Sequence, residues 1–174
     1  MRLAYRVRQG LRDVFSFRQS VDLATPARYL SKAQMGLFVR MTRSEQVHSL
    51  NVLRDVLAQD DDTPIDLAVA GLLHDVGKLR YPLDVFQRTF AVVLTRLAPK
   101  LEQRYSIPAK MTYWRAPLIV RRHHPRWSAE LLKANGGSER AVWLVEHHAD
   151  NLAALQGHLY FTLLARLKQA DDAN

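Results

Sequence analysis

Apolar residues recur at spacings of three, four and seven along most of the chain, which is the period of an amphipathic α-helix. No stretch alternates apolar and polar residues as a β-strand does. With proline and glycine marking the breaks, and with ends accurate to about 2–4 residues, the pattern predicts helices. They cover residues 2–16, 26–40, 44–58, 64–75, 84–104, 113–123, 126–134, 138–149 and 157–172. The sequence therefore predicts an all-α helical bundle.

Four helix starts carry capping signals. Thr25-Pro26 and Thr63-Pro64 each read as an N-cap followed by proline at the first helical position. Ser44 and Ser138 precede acidic residues and are further N-cap candidates.

The first 24 residues are predicted to be a basic amphipathic appendage, followed by one domain over residues 25–174. The appendage has an apolar stripe with arginines around the rest of the helix. Docking of this stripe onto the domain is favoured over contact with an anionic membrane surface or nucleic acid. The stripe residues are Leu3, Val7, Leu11 and Val14.

Composition narrows the classes of protein. The 174 residues are 48% hydrophobic and 24% charged, as in an ordinary globular domain. There is no cysteine, so any metal must be held by His, Asp or Glu. No apolar run reaches the roughly 18 residues that span a bilayer and no signal-peptide pattern is present, so we expect a cytoplasmic protein. The net charge of +8 favours polyanionic partners without choosing among nucleotides, nucleic acid and membranes.

The strongest chemical signal is a His-Asp pair at the end of an apolar helix. The stretch 65–73 is apolar almost all round, which predicts a buried helix, and His74 and Asp75 follow directly. An ionised carboxylate removed from water needs a compensating partner such as a cation. A hydrogen-bonded core histidine beside a capping aspartate is the alternative, and it would be favoured if the pair stood alone.

Other histidines and one aspartate fall on inward stripes. His48 leads Val52 at four-residue spacing, and His148 follows Leu144 at the same spacing. Asp171 follows two buried-face leucines by seven and four residues. The combination gives mixed nitrogen and oxygen ligands that suit Mn, Fe, Zn or Mg.

These segments resemble the H…HD…D signature of the HD-domain metal-dependent phosphohydrolases. They read Glu45-Gln-Val-His48-Ser, Leu72-Leu-His-Asp-Val-Gly-Lys78 and Ala170-Asp171. The segment His124-Pro-Arg-Trp-Ser-Ala-Glu-Leu-Leu, with Val145-Glu-His-His148, is similar to the HDIG branch. The resemblance covers residues 31–174 and implies the HD-domain helical bundle.

The resemblance also implies a ligand set and a chemistry. It gives the first of one or two divalent metals to His48, His74, Asp75 and Asp171, with Asp75 bridging. A second metal would take His124 with His147 or His148. The metals would activate water for attack on phosphorus, with Asp75 and Lys78 as the catalytic residues. Lys78 would face the substrate phosphate, although a helix C-terminal cation explains it equally well.

The sequence thus predicts a metal-dependent phosphohydrolase acting on a phosphate ester or nucleotide. The segment after His147-His148 reads Ala149-Asp-Asn where the cyclic-di-GMP branch has Gly-Tyr-Pro, so that substrate is disfavoured. The alternatives are a non-catalytic HD module that senses a nucleotide, and a nucleic-acid binder suggested by a pI of about 10.1. We expect a small phosphorylated partner and no stable nucleic-acid complex, with membrane-surface contact by the N-terminal helix disfavoured; the sequence does not predict the oligomeric state.

Overall fold

The computed structural model describes residues 21–84, 86–87, 89–90, 93–94 and 111–174. Six α-helices and three 3₁₀ turns lie wholly within these ranges, and no described residue is in a β-strand, which confirms the all-α prediction. The helices are α1 (Lys32–Phe38), α2 (Arg43–Ala58), α3 (Ile65–Leu73), α4 (Ala116–Ala134), α5 (Glu139–His147) and α6 (Phe161–Ala173). The 3₁₀ turns are Pro26–Arg28, Val76–Arg80 and Leu152–Leu155.

Helix α3 lies at the centre of the bundle. Every residue from Leu67 to Leu73 is buried, and α3 packs against α2, α5 and α6. This burial agrees with the continuous apolar run that the sequence shows. Because α3 ends inside the domain, the residues that follow it enter the core rather than the solvent, and these are His74 and Asp75.

Two of the four predicted N-caps are replaced by neighbours. Helix α2 is capped by Thr42, which forms a capping box with Glu45, so Ser44 is already inside the helix. Thr63 does not cap α3 because its hydroxyl donates back to the Asp60 carbonyl, and Pro64 takes the N-cap position.

Ser138 caps α5 by accepting a hydrogen bond from the Ala141 N–H, as predicted. Thr25 precedes Pro26 but its side chain makes no capping hydrogen bond, and Pro26 opens only a 3₁₀ turn. The single helix predicted over 26–40 is therefore wrong. Ser31 and Gln34 form a capping box that starts α1 afresh.

The break predicted between residues 123 and 126 is also wrong. Helix α4 runs without interruption from Ala116 to Ala134 and carries Pro125 in its interior. The sequence rule placed a helix end before the proline, but the helix has buried residues both before and after it, among them His124 and Ser128.

Other predicted features lie largely outside the described residues. The helix at 2–16 lies wholly outside them, and so does most of the appendage, residues 1–20. Of the helix at 84–104, only residues 86–87, 89–90 and 93–94 are described as helical. Among the helices that are described, none combines the length and apolar character needed to cross a membrane.

Candidate metal centre

The carboxylate of Asp75 lies between two groups of imidazoles. His74 is the C-cap residue of α3, and Asp75 follows it at the start of the 3₁₀ turn Val76–Arg80. Helices α2, α4, α5 and α6 surround this point and each directs at least one polar side chain towards it. Those side chains are His48 on α2, His124 on α4, His148 at the C-cap of α5 and Asp171 on α6.

One group, here called the outer cluster, consists of His48, His74 and Asp171 with Oδ2 of Asp75. The Nε2 atoms of His48 and His74 are 3.2 Å apart, and Oδ1 of Asp171 lies 3.0 Å and 3.5 Å from them. Oδ2 of Asp75 is 3.9 Å from His48 Nε2 and 3.6 Å from His74 Nε2. The side chains of His48 and Asp171 are 24% and 29% exposed, so this cluster reaches the surface.

The other group, the inner cluster, consists of His124 and His148 with Oδ1 of Asp75. Nε2 of His124 is 3.2 Å from Oδ1 of Asp75 and 3.2 Å from Nε2 of His148. The His148 residue is only 3% exposed. Asp75 therefore directs one carboxylate oxygen to each cluster.

Three of the imidazoles are oriented by the same kind of hydrogen bond. Nδ1 of His74 lies 3.0 Å from the Gly71 carbonyl, and Nδ1 of His148 lies 2.7 Å from the Val145 carbonyl. Nδ1 of His124 lies 2.8 Å from the Arg121 carbonyl. Because a carbonyl oxygen only accepts, each Nδ1 carries the proton and each Nε2 is directed into the clusters.

The charges of the site are strongly coupled. Burial opposes the charge on His74, but the carboxylates of Asp75 and Asp171 outweigh it and raise the pKa of His74 to about 9. Burial, with the neighbouring His74 and His124, lowers the pKa of His148 to about 3. His148 is therefore neutral near pH 7, the form that binds a metal.

Both aspartates remain ionised despite their burial. Burial favours the neutral acid, but Lys78, His74 and His124 hold the pKa of Asp75 well below its ordinary value. The pKa of Asp171 is likewise lowered against burial, by the charge of His74 and by hydrogen bonds from His48 and His74. The site thus holds two carboxylates as anions among imidazoles.

Lys78 lies against the bridging carboxylate. Its Nζ is 2.5 Å from Oδ2 of Asp75, and its side chain is 35% exposed. Neither sequence interpretation, phosphate contact or helix C-terminal cation, anticipated this ion pair with the aspartate three residues earlier. The contact places the ammonium group at the outer cluster.

The structure separates the two adjacent histidines that the sequence left as alternatives. His147 lies outside both clusters, because it is turned by about 100° around α5 from its neighbour. Its Nδ1 is 2.6 Å from Oδ2 of Asp150, and its ring packs on Trp143 at 4.5 Å between centroids. The structure therefore brings His148, and not His147, to Asp75 and His124.

Two further contacts that position the site were not predicted from the sequence. The Gly77 N–H donates to Oγ of Ser128 at 2.7 Å, and a Cβ on Gly77 would lie 2.3 Å from the His124 carbonyl oxygen. The 3₁₀ turn that carries Asp75 is thereby held directly against α4. Lys168 on α6 donates to the His148 carbonyl at 2.7 Å. Both contacts join residues distant in the chain, so local pattern carried no signal for them.

A model of the HD domain matches residues 46–172, which is well over half of the chain. The chain belongs to the HD-domain family. This result confirms the family resemblance, whereas the HDIG branch is not established by it. The search of curated proteins and the search of solved structures gave no match.

The donor atoms of this HD domain fit a divalent cation. Two groups of ligand atoms, His48 with His74 and Asp75, and Asp75 with His124 and His148, each lie within 4.8 Å of one another. Neutral imidazole and carboxylate are ligands that Zn, Fe and Mn share, and because Nδ1 is bonded to a carbonyl in three of the imidazoles, Nε2 is the nitrogen that can ligate there. HD domains are generally metal-dependent hydrolases, and the clusters have the composition to hold a metal.

Proposed function

We propose that this HD domain is a phosphohydrolase that uses two divalent metal ions to hydrolyse a phosphate ester or nucleotide. The observation that supports it most is the shared carboxylate of Asp75, with Oδ1 beside His124 and Oδ2 beside His48 and His74. A carboxylate between two sets of imidazoles is the arrangement that holds two cations a few ångströms apart. A core histidine that only satisfies its own hydrogen bonds would not need this second set of ligands.

Each ligand would have a distinct task. The outer cluster would hold one cation through His48, His74, Asp171 and one oxygen of Asp75, and the inner cluster would hold the other through His124 and His148. When bound, such ions polarise phosphoryl oxygens and lower the pKa of a coordinated water. The Nδ1 hydrogen bonds keep the imidazole planes aligned, so the ligands need little reorganisation.

Substrate would approach from the outer cluster. His48 and Asp171 of this cluster are partly exposed, as is Lys78 beside it, whereas the inner-cluster side chains are nearly closed to solvent. We propose that Lys78 moves from Asp75 to the substrate phosphate when metal takes up the carboxylate charge. An ammonium group on a flexible stem suits such a change of partner.

The substrate class follows from charge rather than from shape. The chain carries a net charge of +8, which favours anionic small molecules such as phosphate monoesters and nucleotides. Metal ions at the outer cluster would add to this preference. We propose a small phosphorylated metabolite or nucleotide as substrate.

The test is hydrolysis of an aryl phosphate and a nucleotide panel by protein freed of metal and then supplied with Mn, Mg, Fe or Zn separately. We expect turnover that requires added metal and is lost in the His74→Ala, Asp75→Ala double variant. Equal hydrolysis by that variant would refute the proposal. Tight binding of a nucleotide without turnover under any metal would favour a sensing module instead.

A further inference from the structure

The three imidazoles with fixed Nδ1 groups obtain their hydrogen-bond acceptors in two different ways. His74 and His148 are C-cap residues, and their acceptors, the Gly71 and Val145 carbonyls, belong to the last turns of α3 and α5. Carbonyls in the last turn of a helix have no intrahelical N–H partner. Ending the helix at the histidine therefore supplies the acceptor.

His124 is not at a helix end, so no terminal carbonyl is available to accept from its Nδ1. It lies in the interior of α4, ten residues before the helix ends at Ala134. In an uninterrupted helix the Arg121 carbonyl would accept the N–H of residue 125. Residue 125 is proline and has no N–H, and the Arg121 carbonyl lies 2.8 Å from Nδ1 of His124, nearer than the Val120 carbonyl at 3.2 Å.

We infer that Pro125 is a positioning residue: by removing the competing N–H, it leaves the Arg121 carbonyl to hold His124 with Nε2 directed at Asp75. The inference rests on the proposed function, because it assumes that His124 is a metal ligand. It accounts for a proline in the middle of a buried helix, where proline is ordinarily destabilising. The hydrogen bond that α4 loses at Pro125 is the one from residue 125 to the Arg121 carbonyl, which would compete with the His124 side chain.

The inference predicts that a substitution of Pro125 changes stability and metal binding in different directions. Replacing Pro125 by alanine restores a backbone N–H to the helix, so the metal-free protein should be as resistant to urea as before, or more so. The same N–H should compete for the Arg121 carbonyl and loosen His124. Metal binding by the inner cluster is then expected to weaken by about tenfold or more, the usual effect of losing a hydrogen bond that orients a ligand.

Zn²⁺ is a suitable probe because it is diamagnetic. The experiment titrates metal-free wild type, Pro125→Ala and Pro125→Gly with Zn²⁺ against a chromophoric chelator, and records long-range ¹H–¹⁵N spectra of the imidazoles. In wild type we expect two Zn²⁺ per chain and a slowly exchanging Nδ1 proton on His124. In both variants we expect faster exchange of that proton and weaker binding of the Zn²⁺ at the inner cluster.

Pro117 provides the matched control. It lies on the same helix, but in the first turn, where a backbone N–H has no intrahelical acceptor. Pro117→Ala should therefore leave the His124 spectrum and the Zn²⁺ affinities unchanged. Comparable losses in Pro117→Ala and Pro125→Ala would overturn the inference, because they would show a general effect on the helix.

The remaining outcomes are also decisive. A wild-type His124 that lacks the Nδ1 proton, a wild type that binds fewer than two Zn²⁺, or Pro125 variants identical to wild type would each overturn the inference without depending on mutant folding. If wild type binds two Zn²⁺ and the proline variants behave as expected, but no phosphorylated compound is hydrolysed with any metal, the proposed function fails and the role of Pro125 stands.

Discussion

The inner and outer clusters use the same two kinds of side chain, but they differ in how firmly these are held. In the inner cluster, both imidazoles donate from Nδ1 to a backbone carbonyl, and His148 is 3% exposed. In the outer cluster, His48 lies inside α2, and among the described residues no contact of its Nδ1 is found. Its side chain and that of Asp171 are partly open to solvent.

This difference indicates that the two clusters have different roles. A buried and rigid set of ligands releases a metal slowly, whereas a partly exposed set leaves room for exchange and for substrate. We therefore expect the inner cluster to retain metal and the outer cluster to be the side at which metal and substrate enter. Asp75 belongs to both clusters, so its loss should erase the difference altogether.

The largest effect is expected from Asp75→Asn. Removing the shared charge should abolish tight binding at both clusters and lower turnover by about 10³-fold or more, because several kcal/mol of electrostatic stabilisation is lost. Elemental analysis and the aryl phosphate assay measure the two effects. Asp172→Asn is the control, since Asp172 is exposed and adjacent in sequence to a proposed ligand. Metal content near the wild-type level in Asp75→Asn would contradict the shared role.

The next largest effect should separate two neighbouring histidines. His148→Ala removes an inner-cluster imidazole, and we expect one metal fewer per chain and turnover lower by about 10²-fold. His147→Ala removes a side chain paired with Asp150 and packed against Trp143, so its metal content should match wild type. Metal loss of equal size in both variants would refute the assignment of His148 alone to the inner cluster.

His48→Ala tests the difference between the clusters by removing a ligand of the outer cluster. We expect this variant to retain one metal at the inner cluster and to lose the other, with turnover falling by about 10²-fold. In wild type, a chelator should remove one metal faster than the second, and only the slow phase should persist in His48→Ala. The assignment of slow release to the inner cluster would be wrong if the slow phase disappeared in His48→Ala and the fast phase remained.

A proton should be released when the outer cluster binds metal. The pKa of His74 is raised to about 9 in the metal-free site, so His74 is protonated near pH 7 and must lose that proton to ligate. We expect about one proton per outer-cluster metal near neutral pH, with release vanishing as pH rises through about 9. Calorimetry in buffers of different ionisation enthalpy counts the protons.

The inner cluster should behave in the opposite way in the same titration. The pKa of His148 is lowered to about 3, so this imidazole is already neutral near pH 7 and contributes no proton. Proton release that stayed constant across pH 7 to 10, or that was absent near neutral pH, would contradict the charge state assigned to His74.

The smallest effect is expected from Lys168→Met. Its Nζ holds the His148 carbonyl from α6, so its loss should loosen the inner cluster without removing a ligand. We expect inner-cluster affinity lower by about tenfold, the low end for a residue that supports a ligand. Chelator competition measures it, with Lys133→Met as an exposed control on α4. An unchanged affinity would limit Lys168 to a role in folding.

Periodicity was sufficient to predict much of the fold and part of the site. The apolar run ending in His74-Asp75 predicted a buried helix with polar groups at its end, and α3 has this structure. The four-residue spacing from Leu144 placed His148 on the inward face of α5. The same spacing gave His147 no such support, but the resemblance to the HDIG branch kept both.

Contacts between segments distant in the chain could not be predicted from the local pattern of apolar and polar residues. The approach of Gly77 to Ser128 joins residues 51 positions apart, and no property of either residue alone indicates it. Pro125 misled the sequence interpretation, because proline ordinarily ends a helix and here lies inside one. Its place became understandable only with the His124 side chain beside the Arg121 carbonyl.

The central claim is that Asp75 joins two metal ions, and electron paramagnetic resonance of the protein titrated with Mn²⁺ tests it most directly. Two Mn²⁺ bridged by one carboxylate should give an exchange-coupled spectrum that reaches its limit at two ions per chain and is lost in Asp75→Asn. Saturation at one ion, or two ions that give only the uncoupled six-line spectrum, would contradict the account.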